Sequence, residues 1–165
     1  MKKLPIGIQS FVEMRTGNYY YVDKTHFVKK LVDEGKYFFL SRPRRFGKSL
    51  FLDTLKQAFL AKKELFKDLY LENNWDWSEP HPVIHISFGS GVVKDPKTLQ
   101  KRMEYFVNDH AKGYGVPLEK EIIPDRFMEL IEKLHKKYSK KVVILVDEYD
   151  KPILDNIEIP MLRWR

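Results

Sequence analysis

The chain has 165 residues, enough for one domain with a hydrophobic core, and its 43% hydrophobic content is ordinary for a globular protein. Thirty lysines and arginines against 23 acidic residues give a formal charge of +7, which bears on affinity for polyanions rather than on fold. The lack of cysteine excludes disulfides and thiolate sites, and no apolar run approaches the roughly 18 residues that a membrane helix needs, so we expect a cytoplasmic protein without membrane contact.

The sequence has no internal repeat and no Gly/Ser linker, which predicts a single domain. We divide it into a lead-in over residues 1–36, a core over residues 37–154 and a divergent tail over residues 155–165. The first predicted helix in the lead-in can be capped by Asp23 and ends at Gly35. Its apolar residues recur at helical spacing and are Phe27, Val28, Leu31 and Val32.

A basic loop opens the predicted core. Residues 37–40 are apolar and predict a strand, residues 42–49 read Arg-Pro-Arg-Arg-Phe-Gly-Lys-Ser, and residues 50–60 carry an apolar stripe that predicts a helix. This order is typical of a phosphate-binding P-loop, in which backbone N–H groups, an ammonium and a hydroxyl surround a polyphosphate at a helix N-terminus. Arg42 stands where the usual pattern has its first glycine. Because the cradling N–H groups come from the last residues of such a loop, that glycine is not essential.

The middle of the chain predicts irregular structure followed by a strand. Residues 64–71 predict a weak helical segment, and Trp75 and Trp77 lie in the loop after it. We interpret these tryptophans as packing anchors, with a base-stacking platform as the alternative. Residues 82–89 predict a second strand, in which His85 has a structural role because no second histidine stands at metal-ligand spacing.

Two amphipathic helices precede the last predicted strand. The first begins at Asp95 and Pro96, a cap followed by an N1 proline, and ends at the break over residues 113–115. The second opens at Pro124. Residues 142–146 are five consecutive apolar residues, most of them β-branched. This run predicts a central parallel strand that is buried on both faces.

This last strand ends in Asp147 and Glu148, which we call the acidic pair. A hydrophobic strand that finishes in Asp-Glu is the Walker B pattern, in which the first carboxylate supports Mg²⁺ and the second acts as general base on water. The alternative is that the acids only mark the return of the chain to solvent. In parallel α/β sheets, ligands bind beyond the carboxyl ends of the strands, so Lys48 and Asp147 are expected to emerge at one edge.

Four segments together resemble one family: residues 3–11, 20–25, 42–49 and 146–153. In sequence and in order they are similar to the AAA-ATPase-like proteins, whose own loop characteristically reads Arg-Pro-Arg-Arg-Phe-Gly-Lys-Ser. The resemblance implies a three-layer α/β P-loop NTPase fold of the additional-strand class, with a parallel sheet, that binds ATP rather than GTP together with Mg²⁺. In longer relatives a PD-(D/E)XK nuclease-like domain often follows, and we carry no nuclease activity over to this chain.

The C-terminal part of the sequence departs from the family. Only fifteen residues follow Asp150, too few for the elements that should complete the sheet and supply a polar sensor residue and an arginine finger. We therefore expect an incomplete sheet and a truncated chain, for which a completing polypeptide is one expected partner. ATP hydrolysis is conditional on that missing part, whereas ATP binding is not.

The favoured hypothesis is an ATP- and Mg²⁺-binding domain that is an ATPase by descent. Lys48 is assigned to the β- and γ-phosphates, Ser49 and Asp147 to Mg²⁺, and Glu148 to the attacking water, so that Lys48 and Glu148 are the catalytic candidates. The residues predicted to bind the nucleotide are Arg45, Phe46, Gly47, Lys48, Ser49 and Leu50.

Two other hypotheses stay open. The +7 charge and the cluster of Arg42, Arg44 and Arg45 allow a basic nucleic-acid-binding module with a vestigial P-loop. The chain is alternatively an inert fragment of a longer ATPase-nuclease protein, and such a fragment would self-associate through exposed sheet edges.

Overall fold

The computed structural model describes residues 2–43 and 45–157, so most of the predicted tail lies outside the described residues. These residues fall into two compact units, the first ending at Val83 and the second beginning at Ile84. The protein belongs to the mixed α/β class, which confirms that part of the fold prediction. The single domain with three segments stays a prediction.

The described part of the first unit contains three helices and two 3-10 turns. The helices are α1 (Phe11–Thr16), α2 (His26–Glu34) and α3 (Lys48–Phe59), and the 3-10 turns cover Lys63–Phe66 and Tyr70–Asn73. Buried apolar side chains from all of these elements form the core of the unit. They are Phe11, Met14, Val28, Leu55, Ala58, Leu65, Phe66 and Leu71.

Helix α1 is fastened at both of its ends. At its start, the N–H of Phe11 donates to Oδ2 of Asp53 in α3 at 2.6 Å. In its last turn, the Arg15 guanidinium donates to the carbonyl oxygens of Leu65 at 2.8 Å and Lys67 at 2.6 Å. These bonds join the start of α1 to α3 and its last turn to the end of the first 3-10 turn.

Helix α2 forms as predicted, but Asp23 does not cap it. The helix begins at His26 with Thr25 at the N-cap, and the carboxylate of Asp23 accepts the N–H of Thr25 at 2.7 Å and the N–H of Tyr70 at 2.7 Å. The hydroxyl of Thr25 in turn accepts the N–H of Leu71 at 3.1 Å. These side chains therefore join the start of α2 to the second 3-10 turn instead of satisfying donors of α2.

The strand predicted over residues 37–40 does not form, so that prediction is wrong. The segment has neither helix nor strand, and its side chains lie outside, with Tyr37 95% and Phe39 71% exposed. A strand needs a neighbour to complete its hydrogen bonds. Apart from Val83, no described residue of the first unit belongs to a strand, so the unit itself offers this segment no ladder.

The second unit contains the parallel sheet. In chain order its elements are β1 (Val83–Ser87, whose first residue closes the first unit), α4 (Pro96–Tyr114), α5 (Ile123–Tyr138), β2 (Val143–Asp147) and α6 (Lys151–Leu154). The described residues form one sheet, in which β1 and β2 are paired in parallel. None of the described helices is long and apolar enough to cross a membrane.

The long helices begin and end close to the predicted residues. Asp95 caps α4 by accepting the N–H of Thr98 at 2.8 Å, and Gly115 ends it in the left-handed conformation with φ of 61°. Helix α5 starts one residue before Pro124. Both helices contribute, with β1 and the residues just after β1 and α4, to one buried cluster. Its members are Ile84, Ile86, Phe88, Val107, Ala111, Val116, Leu130 and Leu134.

Strand β2 forms as predicted, but only one of its faces is buried. Leu145 and Asp147 are buried, whereas Ile144 and Val146 on the other face are 43% and 41% exposed. Burial on both faces requires a layer on each side of the sheet. The described residues place no such layer over Ile144 and Val146, so the prediction of a doubly buried strand is wrong.

A buried carboxylate ties the turn before α5 to that helix. Glu129 accepts the N–H of Glu119 at 3.0 and 2.9 Å and the N–H of Lys120 at 3.0 Å, and it forms an ion pair with Lys133 at 2.8 Å. The hydrogen bond from Lys133, followed by that from the Lys120 backbone, lowers the pKa of Glu129 to about 2.

We expect Glu129→Gln to destabilise the protein at pH 7 and to lose most of this effect in acid. Since the pKa of Glu129 is lower in the folded than in the unfolded chain, its ionised form stabilises the fold fully above its ordinary pKa of 4.5. That stabilisation disappears as pH falls from about 4.5 towards about 2. Urea unfolding at pH 7 and pH 3 measures the difference in the free energy of unfolding between wild type and Glu129→Gln. Glu132→Gln, at an exposed position of α5, is the control, and an equal destabilisation by Glu129→Gln at both pH values contradicts the assignment.

Candidate functional site

The basic loop enters α3 through Gly47, which adopts the left-handed conformation with φ of 74°. A residue with a Cβ is strained in that conformation, so glycine is the favoured residue. Gly47 is also the N-cap, and no side chain caps the helix. The first N–H groups of an α-helix have no intrahelical acceptor. The backbone donors of Lys48, Ser49 and Leu50 therefore lie at an N-terminus that no side chain occupies.

The remaining predicted nucleotide-binding residues lie in or next to this turn. Arg45 and Phe46 are exposed in the loop, with Phe46 62% exposed, whereas Lys48 and Ser49 are half-buried on the first turn of α3. Within residues 2–43 and 45–157, Lys48 has no ion-pair partner. Arg44, part of the predicted arginine cluster, lies outside the described residues. The Lys48 ammonium is thus not engaged by any described carboxylate.

A cavity of about 460 Å³ adjoins the same helix. Gly47, Leu50 and Thr54 of the α3 region line one side, and Phe27 and Leu31 of α2 line another. The charged residues among its lining are Lys24, Lys30, Glu34 and Arg42. The cavity could not be predicted from the sequence because its walls come from segments that are separate in the chain.

One wall of the cavity is fixed by the phenol ring of Tyr21. This ring packs edge-on against Phe11, with centroids 5.5 Å apart, and its hydroxyl lies beside Thr54. Burial raises the pKa of Tyr21 above its ordinary value, so the phenol stays neutral at physiological pH. Thr54 in turn donates to the carbonyl of Leu50 at 2.8 Å, which restricts this side of the cavity.

The acidic pair lies in the second unit, at the carboxyl end of β2. Asp147 is 9% exposed, and its Oδ1 accepts the N–H of Glu148 at 3.0 Å. Its carbonyl oxygen accepts the N–H of Phe88 at 3.1 Å, which extends the pairing with β1 by one residue. Glu148 is exposed and has a φ of 50°, a left-handed conformation that is uncommon for a residue with a side chain. The strand thus ends in the acidic pair, as predicted, with Asp147 as its last residue and Glu148 directly after it.

The predicted magnesium ligands belong to different units, with Ser49 in the first and Asp147 in the second. In the part of the chain that the structure describes, no group of three or more His, Asp or Glu side chains could hold a metal ion by itself. A serine hydroxyl and a carboxylate are oxygen donors of the kind that Mg²⁺ prefers. The donor types fit Mg²⁺, and the ligand set stays a prediction.

The chain is thus a mixed α/β protein with a Gly-Lys-Ser turn at the start of one helix and an acidic pair at the end of one strand. The sequence profile of a family described as "Predicted AAA-ATPase" matches residues 5–163, and the chain belongs to this AAA-ATPase-like family. The resemblance drawn from four segments of the sequence is thereby confirmed, while a nuclease-bearing context and a truncated chain stay predictions.

A relative from Azotobacter chroococcum mcd 1 is described as an uncharacterized protein in the vnfD 5′ region. It is 49% identical over 160 residues, which make up 96% of this chain and 31% of that protein. The chain therefore spans about a third of the length of this relative. No solved structure matches the chain.

Proposed function

We propose that this chain binds ATP with Mg²⁺ at the N-terminus of α3. The observation that carries the proposal is the left-handed Gly47, which turns the basic loop into a helix without a side-chain cap. The N–H groups of Lys48, Ser49 and Leu50 then remain for a phosphate, and the positive end of the helix dipole favours the same ligand. Membership in a family described as predicted ATPases supports a nucleotide over other phosphate ligands.

In this proposal the fold is that of a P-loop NTPase of the additional-strand class. Backbone donors of Arg45, Phe46 and Gly47 add to those of the helix, and the Lys48 ammonium binds the β- and γ-phosphates. When bound, Mg²⁺ neutralises phosphate charge, and Ser49 and Asp147 would hold it.

Hydrolysis is the conditional part of the proposal. Glu148 would accept the proton of the attacking water, because a carboxylate directly after the strand is the usual general base of this motif. A small P-loop GTPase without its arginine finger hydrolyses slowly, on the order of 10⁻⁴ per second. We propose that the intrinsic rate is slow where no arginine reaches the phosphates, and that an arginine supplied to the site would raise it.

The cavity beside α3 is proposed to receive the base and ribose. Its volume of about 460 Å³ lies in the usual range for small-molecule sites, roughly 300–1,000 Å³. Gly47 and Leu50 border both the cavity and the phosphate-binding turn, so one ligand can reach both. The aromatic and aliphatic side chains of Phe27 and Leu31 suit the faces of a heterocyclic base.

Titration of the chain with Mg·ATP and with inorganic tripolyphosphate tests this function. We expect saturable binding of both, and Leu31→Trp, which fills the cavity, should weaken ATP about tenfold because base stacking contributes about 1–3 kcal/mol. Tripolyphosphate affinity should stay unchanged. The matched control is Val32→Trp, one residue along α2 and 45% exposed. Absence of saturable ATP binding by the wild-type chain refutes the function, and an equal loss for both ligands refutes the base site.

Binding of nucleic acid and self-association rest on the sequence alone. The net charge of +7 and the arginine cluster motivate the first, and no further observation on the described residues favours it. Both stay predictions. If the chain binds DNA, its affinity should fall steeply with salt and be indifferent to ATP.

A further inference from the structure

We propose that Gly89 is a positioning residue that sets where the carboxylate of Glu148 lies. The inference rests on the proposed function, in which Glu148 acts on water. A Cβ built at Gly89 would lie 3.1 Å from Oε2 and 3.2 Å from Cδ of Glu148. The φ of Gly89 is outside the left-handed region, so the backbone conformation does not explain why glycine stands here. What a Cβ at position 89 would meet is the Glu148 carboxylate, which would have to shift by a few tenths of an ångström.

The backbone of Glu148 is held independently of its side chain. Its N–H donates to Oδ1 of Asp147 at 3.0 Å, and its carbonyl oxygen accepts the N–H of Lys151 at 3.0 Å. These bonds keep Glu148 in the left-handed conformation, which a residue with a side chain adopts only when its surroundings enforce it. With the backbone fixed in this way, the remaining freedom of Glu148 is in its side chain, which lies against Gly89.

The loop that contains Gly89, residues 88–93, is fastened at both ends. At its start the N–H of Phe88 donates to the Asp147 carbonyl at 3.1 Å. At its end Val93 is bonded twice, because its N–H donates to Oδ2 of Asp155 at 3.0 Å and its carbonyl accepts from Nδ2 of Asn156 at 2.7 Å. A methyl group at position 89 would therefore displace the Glu148 carboxylate more readily than the loop.

A displaced carboxylate should slow hydrolysis without weakening binding. Glu148 has no contact with phosphate in the proposed function, so ATP affinity does not depend on its position. The rate of hydrolysis does depend on the position of this carboxylate, because a general base must lie within about 2.6–3.2 Å of the water it deprotonates. A misplacement of about 1 Å can cost about 100-fold in rate, so the few tenths of an ångström expected here correspond to about tenfold.

The test compares Gly89→Ala with wild type in single-turnover hydrolysis, with protein in excess over radiolabelled ATP, and in calorimetric titration with Mg·ATP. We expect about a tenfold slower rate and a Kd within about twofold of wild type. The matched control is Gly113→Ala in α4, where a Cβ meets nothing within 4 Å. In a Glu148→Gln background, Gly89→Ala should have no further effect, because it acts through that carboxylate.

A second variant removes bulk instead of adding it. Asn156→Ala removes the hydrogen bonds from Nδ2 to the Val93 and Pro152 carbonyls, so the loop that carries Gly89 can shift against the Glu148 carboxylate. It should therefore also slow hydrolysis at unchanged ATP affinity, and it keeps the test valid if Gly89→Ala does not fold. The proposal is overturned if Gly89→Ala hydrolyses ATP at the wild-type rate. If Gly89→Ala does not fold, a wild-type rate in Asn156→Ala overturns it instead. It is also overturned if Gly89→Ala further slows hydrolysis in the Glu148→Gln background, or if the wild-type chain binds ATP but does not hydrolyse it. Absence of ATP binding in the calorimetric titration is a different result, which refutes the proposed function itself.

Discussion

Replacing Lys48 by alanine is expected to weaken binding of Mg·ATP by about 10- to 100-fold. A hydrogen bond to a charged group contributes about 1.5–3 kcal/mol, and about 1.4 kcal/mol corresponds to a tenfold change in Kd. Stability should stay close to that of wild type, because Lys48 has no ion-pair partner among the described residues and alanine is a better helix former. A loss of affinity without a loss of stability would distinguish a ligand-binding lysine from a structural one.

Lys56→Ala is the matched control for this experiment. Lys56 lies in the last turn of the same helix, so its removal changes the net charge of α3 by the same amount at the opposite end. Calorimetric titration of wild type, Lys48→Ala and Lys56→Ala with Mg·ATP at one salt concentration separates direct contact with the phosphates from long-range attraction by positive charge. Equal affinity in wild type and Lys48→Ala would end the assignment of Lys48 to the phosphates, and an equal loss in both variants would indicate only long-range attraction.

Features that depend on neighbours in the sequence could be predicted. The cap of α4 is a bond between Asp95 and Thr98, and its end is set by the backbone of Gly115. The turn at Gly47 and the strand that ends in Asp147 are likewise set by residues that are neighbours in the sequence. Caps, glycine turns and apolar runs act over three to five residues, so the sequence contains the whole interaction.

Features that depend on distant partners could not be predicted. Residues 37–40 have the composition of a strand, but whether they form one is decided by a neighbouring strand. Ile144 and Val146 are apolar, but their burial is decided by a covering layer that the described residues do not provide. Gly89 is separated from Glu148 by about sixty residues, so only the folded chain reveals their contact. In each case the local pattern was compatible with more than one tertiary environment.

Replacing Phe11 by alanine is expected to lower the free energy of unfolding of the first unit by about 3–5 kcal/mol, the usual range for a buried Phe→Ala change. Phe11 is fully buried, and its ring packs against Phe66 with centroids 4.9 Å apart and edge-on against Tyr21. The backbone bond from position 11 to Asp53 is retained in the variant. The cost therefore comes from the cavity and the lost ring contacts, and it is a large part of the 5–15 kcal/mol typical of a domain.

Urea unfolding followed by tryptophan fluorescence measures this loss, because Trp77 packs on Phe66 with centroids 4.9 Å apart. Val12→Ala is the control: Val12 is the next residue of α1 and is 40% exposed, so its replacement should change stability by at most about 0.5 kcal/mol. Phe11→Leu should recover part of the loss because leucine refills some of the cavity. If Phe11→Ala and Val12→Ala cost the same, the Phe11 ring does not anchor α1 in the core of the first unit.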